Sequence, residues 1–113
     1  RGDPDTDGGI TGVMKIAHAA ESLGLDVELH APAGPERRHL MAAIHNMNYY
    51  EMGLVHPRAP LIRQPPVFKG DYRDSLDAID KNGCVPVPRG PGLGVEYDWD
   101  FITEHSQGVA VYD

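Results

Sequence analysis

Asp3, His30 and Glu51 are the residues of this chain best placed to do chemistry. They lie 27 and 21 residues apart. An imidazole near neutrality can take or give a proton, and a carboxylate beside it orients the ring. Gaps of this size each fit one βα unit. In a barrel of such units the catalytic groups sit at the C-terminal ends of successive strands, around one mouth. An acid, an imidazole and a second acid would then face a common pocket.

The opening stretch DPDTDGGITG allows a second reading. Asp3, Asp5, Asp7, Gly8 and Ile10 match the first eight positions of a calcium-binding EF-hand loop. The position for the closing bidentate Glu is Met14, and only Arg1 and Gly2 precede the loop. Pro4 also holds Asp3 toward an extended conformation. Gly8-Gly9 at a helix start is a candidate phosphate cradle, but the aspartates just before it would repel an anion.

The elements that must carry these groups follow from the spacing of apolar residues. Ile10, Val13, Met14, Ala17, Ala20 and Leu23 mark one face of a helix, and Gly24 suits its C-terminal cap. LDVELHA, residues 25–31, alternates as a short strand ending at His30. Pro35 suits the first position of a second helix, whose stripe is Leu40, Met41, Ile44 and Met47. Residues 48–52, NYYEM, read as another strand with Glu51 near its end. Strands alternating with amphipathic helices imply a parallel sheet covered by helices.

Beyond Gly53 the order weakens. HPRAPLIRQPPVF carries four prolines, which exclude a helix or central strand. DYRDSLDAIDKNG holds a short helical turn closed by Asn82-Gly83. CVPVPRGPGLGVEYDWDFI ends in an aromatic cluster expected to pack back on the body. The expected organisation is residues 1–55 as the last βα units of a barrel and residues 56–113 as a Pro/Gly-rich tail. The abrupt start suggests the C-terminal part of a longer protein.

Composition narrows the partners. A net charge of −7 with no basic run disfavours nucleic acid and anionic membrane. No apolar run reaches a membrane span. A single cysteine, Cys84, leaves no internal disulfide and fits a reducing, cytoplasmic setting.

Together DPDTDGGITG, the helix after it, VELHA and NYYEMGL resemble the C-terminal barrel portion of the enolase superfamily. The nearest likeness is to its mandelate racemase subgroup, rich in acid-sugar dehydratases. Asp3 with Gly8-Gly9-Ile10-Thr11 matches the subgroup's sixth strand, His30 its seventh and Glu51 its eighth. PGLGVEYDWDFI looks like the tail that returns to the N-terminal capping domain. The resemblance implies an α/β fold, the C-terminal portion of a (β/α)-barrel, and a homo-oligomer at full length.

It also implies Mg²⁺, a small carboxylate substrate and an enediolate formed by proton abstraction alpha to the carboxylate. His30 would be the base, or the acid on the opposite face, and Asp3 would fix its tautomer. Glu51, held protonated, would donate to the substrate carboxylate. The family's Lys-x-Lys and its three carboxylate metal ligands have no counterpart here, so this piece alone should be inactive. The leading expectation is a magnesium-dependent acid-sugar dehydratase. A racemase or epimerase using the same dyad is the alternative, and a calcium-binding module through the opening loop is the alternative of another class.

The other candidates read as structural. His18, His39 and His45 lie on helices as solvated or packing groups, while His56 and His105 fall in loops. Tyr49 and Tyr50 read as sheet packing, and Cys84 as inert.

Overall fold

A computed structural model describes residues 1–30, 34–52 and 67–111. The chain enters beside its own residue 29. Gly2 pairs with Leu29 in a parallel bridge, its N–H donating to the Glu28 carbonyl (3.0 Å) and its carbonyl accepting from His30 N–H (2.9 Å). The helix between the paired segments, α1 (Gly9–Ser22), makes this a βα crossover in miniature. Val27 N–H then donates to the Asn46 carbonyl at 2.8 Å, bringing a third segment alongside.

α1 starts after Gly8, whose φ of 81° is open mainly to glycine. It ends in a Schellman closure: Leu25 N–H returns to the Ala20 carbonyl and Gly24 N–H to the Glu21 carbonyl. Gly24 has the positive φ this closure needs. Val13 and Ala17 are the buried face, while Ile10 and Leu23, expected on the same stripe, are 43% and 74% exposed. Asp5 and Asp7 do not cap the helix, because no side chain hydrogen-bonds to its N-terminus.

Gly12 is forced by proximity. A Cβ there would stand 1.6 Å from the Asp7 carbonyl oxygen. Gly12→Ala should therefore displace the Asp3–Gly8 loop and cost about 1–3 kcal/mol, read as a lower urea midpoint.

The second helix, α2 (Pro35–Ala43), begins at Pro35 as expected. It stops short of the predicted Met47, with Ile44 extended. Asn46 explains the early end: its side chain donates to the carbonyls of Ala17 (3.2 Å) and Leu25 (2.8 Å), holding the chain across the end of α1. Ile44 and Met47 still complete the core with Val13, Ala17, Val27, Leu29 and Leu40.

Of the strands expected at 25–31 and 48–52, the described residues 25–30 and 48–52 form none, apart from the bridge at Leu29. For the second segment the cause is a side chain distant in sequence. The N–H groups of Asn48 and Tyr49, which a ladder would use, approach the Glu28 carboxylate at 3.4 and 3.2 Å. Tyr49 is 79% exposed, so it does not pack on a sheet. The described residues hold three helices and one two-stranded sheet, and they do not close a barrel.

The sheet belongs to the tail. β1 (Phe68–Lys69) pairs antiparallel with β2 (Glu96–Tyr97). Phe68 contacts Tyr72 and Tyr97 with ring centroids 4.9 and 5.1 Å apart, a spacing typical of tilted aromatic pairs. A single 3-10 turn covers Leu76–Ala78, within the stretch expected to be helical. The third helix, α3 (Trp99–His105), is capped by Asp98, which accepts from Phe101 N–H at 3.1 Å. His105, expected in a loop, closes this helix and stacks on Phe101. His56 and most of the proline-rich stretch lie outside the described residues. Among those described, no helix is long and apolar enough to cross a membrane.

Arg38 of α2 fastens the tail to the body. Its side chain is 3% exposed and meets the Asp74 carboxylate, itself 1% exposed, at 3.0 Å. It donates to the carbonyls of Arg73 and Pro86 and lies over the Tyr72 ring, 4.8 Å from the centroid. Tyr50 and Tyr72 both donate to Asp74 Oδ2. His39 adds a contact to the Leu93 carbonyl at 3.0 Å. The Arg38 charge is held firmly: burial opposes it, but Asp74 outweighs that and raises the pKa.

Tyr50 and Tyr72 titrate above the ordinary tyrosine range. Burial is the main cause for both, with the Asp74 carboxylate adding to it. An unfolded tyrosine loses its proton near pH ~10, whereas these folded ones keep theirs. Their contribution to stability is thus complete below about pH 10 and is lost as pH rises above it. Phenolate absorbance should show these two ionising only together with unfolding, and Tyr50→Phe should make the alkaline loss of stability less steep.

Candidate active site

Parallel pairing of Gly2 with Leu29 puts the next residues, Asp3 and His30, side by side. His30 Nδ1 lies 3.8 Å from Asp3 Oδ2. That exceeds a hydrogen bond but lies within the range of charge interaction, and a small ring movement would close it. The imidazole is half exposed.

The Asp3 carboxylate is held from behind. Its Oδ1 accepts from Asp5 N–H (2.9 Å) and from Arg37 Nη2 (2.9 Å). Arg37 sits in the first turn of α2 and is 3% exposed. Nη2 also bonds Asp5 Oδ2 at 2.9 Å, Nη1 bonds Glu36, and Nε donates to the His30 carbonyl at 3.1 Å. Burial alone would lower the Arg37 pKa. The hydrogen bond to Asp5 and the charges of Asp5, Glu36 and Asp3 reverse that and raise it. Asp3 is left with Oδ2 turned to the histidine. Arg37 escaped the sequence reading because PERRH looks like a solvated first turn; its one sequence signal is the excess of carboxylates in the opening loop.

Glu51 does not join this pair. Its Oε2 lies 2.8 Å from the Arg1 guanidinium. The alignment falls short of a hydrogen bond, so this shielded oxygen has no donor among the described residues. Glu51 does lie between Tyr50 and Met52, which line a cavity of about 360 Å³ reaching Cys84. Cys84 is an exposed free thiol. His18 is exposed, and His45 is exposed with Nδ1 3.7 Å from Glu21.

The three opening aspartates do not converge as a calcium site. Asp3 and Asp5 share Arg37, whose charge would repel a cation, and Asp7 Oδ2 accepts from Asp3 N–H at 2.8 Å. Among the described residues no three His, Cys, Asp or Glu side chains are grouped to hold a metal. The donor set present fits neither Ca²⁺ nor Mg²⁺.

A carboxylate beside an accessible imidazole, at the end of a parallel-paired segment, is what an acid–base enzyme needs. The family described as enolase C-terminal domain-like matches residues 2–101, and the chain belongs to it. Two curated relatives are D-galactonate dehydratases. That of Ralstonia nicotianae (strain ATCC BAA-1114 / GMI1000) is 30% identical over 111 residues, 90% of this chain and 27% of the relative. That of Ralstonia pickettii (strain 12J) is 30% identical over 109 residues, 88% of this chain and 26% of the relative. The chain thus spans about a quarter of the length of the relatives it matches. No solved structure matches it.

Proposed function

We propose that these residues form the closing βα units of an enolase-type barrel that dehydrates an acid sugar, with Asp3 and His30 as its acid–base pair. The observation that carries the reading is the 3.8 Å approach of His30 Nδ1 to Asp3 Oδ2 across the parallel bridge. Family membership and the names of the two relatives support the reaction class.

In this reading the imidazole takes the proton from C2 of the acid. The imidazolium returns it to the 3-hydroxyl as the C3–O bond breaks. The products are water and an enol that settles to a 2-keto-3-deoxy acid, so atoms balance without an oxidant or reductant. Asp3 favours the imidazolium and keeps Nε2 turned to the substrate. Glu51, in the neighbouring segment, is the candidate donor to the substrate carboxylate once Arg1 is displaced. Mg²⁺ belongs to the reading only through ligands outside these 113 residues.

The test is to incubate the full-length protein and Mg²⁺ with a panel of aldonic acids that includes D-galactonate. Release of a 2-keto-3-deoxy acid from at least one is expected. No turnover of any member would overturn the reading.

A further inference from the structure

We infer that Arg37 is the positioning residue of the Asp3–His30 pair, setting which carboxylate oxygen and which ring nitrogen face each other. The inference rests on the dehydratase reading for its kinetic consequence, but not for its structural one.

The geometry is specific to a guanidinium. One planar group bonds the carboxylates of Asp3 and Asp5 through Nη2, Glu36 through Nη1 and the His30 backbone carbonyl through Nε. Asp3 and His30 come from segments that, among the described residues, a single parallel bridge joins. Arg37 is a second tie between them, and it grips one by its side chain and the other by its backbone. Because Nη2 and Asp5 N–H both occupy Oδ1, only Oδ2 remains for the imidazole. The Asp3–Nδ1 contact then leaves Nε2 as the ring atom that meets substrate.

The charges around the site give the same direction. Three carboxylates, Asp3, Asp5 and Glu36, face Arg37. Without the guanidinium they would repel one another, and Asp3 would turn toward solvent. An ammonium on a flexible stem cannot reproduce four directed bonds. Such buried, many-armed anchoring differs from a surface ion pair, which contributes little.

The test uses Arg37→Lys and, as a milder change, Asp5→Asn, whose side chain is 68% exposed. Both are made in the full-length protein and checked for folding by circular dichroism. For Arg37→Lys, kcat should fall about 100-fold with KM within a few-fold, as expected when a group is misplaced by about 1 Å. Asp5→Asn should give a smaller kcat loss of the same kind, and guanidinium ion should restore part of the activity of Arg37→Ala. Independently of turnover, ¹⁵N NMR of histidine-labelled protein should show a fixed Nδ1–H tautomer of His30 in the wild type and a mixture in Arg37→Lys. A His30 tautomer identical in wild type, Arg37→Lys and Asp5→Asn would overturn the inference, whether or not acid sugars are turned over. Unchanged kcat in a folded Arg37→Lys that dehydrates acid sugars would overturn it as well. A missing turnover in the wild type together with a tautomer that depends on Arg37 would sink the dehydratase reading and support the positioning role.

Discussion

His30→Gln should reduce kcat for acid-sugar dehydration about 10³-fold or more, the scale on which general acid–base groups act. The fold should survive, because His30 contributes to it through its backbone. Its N–H pairs with Gly2 and its carbonyl accepts from Arg37, and both remain in the variant. The ring itself is half exposed. Asp3→Asn should cost nearly as much, since an amide cannot stabilise the imidazolium. The double variant should be little worse than His30→Gln, as residues that act as a unit are not additive. Steady-state kinetics on the three proteins check this; additive losses would mean that the two side chains work separately.

Asp74→Ala should be the most damaging change to stability, by about 3–5 kcal/mol. It leaves the Arg38 guanidinium buried with its carboxylate gone and its Nε already without a partner among the described residues. Tyr50 and Tyr72 would lose their shared acceptor at the same time. Arg38→Met combined with Asp74→Leu should recover much of the loss, since a buried ion pair replaced as a unit by apolar groups is often tolerated. Denaturant unfolding of the two single variants and the double one forms the cycle that measures this coupling. If Asp74→Ala unfolds like the wild type, Arg38 does not fasten the tail in the way described.

The adjacency of Asp3 and His30 was readable from the chain because it needs only the βα spacing and the parallel order that spacing implies. The helix from Gly9 and its closure at Gly24 were readable for the same reason: apolar rhythm and a glycine act locally. What escaped was non-local. The strand predicted over 48–52 is undone by Glu28, some twenty residues earlier, which engages its N–H groups. α2 ends early because Asn46 bonds to α1 and to the segment after it. Arg37 and Arg38 look like solvated charges in PERRH; apart from Glu36 beside Arg37, the carboxylates that pair with them in the fold stand 32 to 36 residues away. Glu51 lies in the neighbouring segment, where its carboxylate meets Arg1, a contact that spacing alone does not reveal.

The most direct measurement follows an acid sugar turned over by the full-length protein in D₂O by proton NMR, with wild type and His30→Gln side by side. In the wild type the C2 proton signal should disappear in step with loss of the 3-hydroxyl and growth of the 2-keto-3-deoxy product, and in His30→Gln neither change should occur. Elimination at the wild-type rate in His30→Gln, or C2 exchange with the 3-hydroxyl retained, would contradict the account.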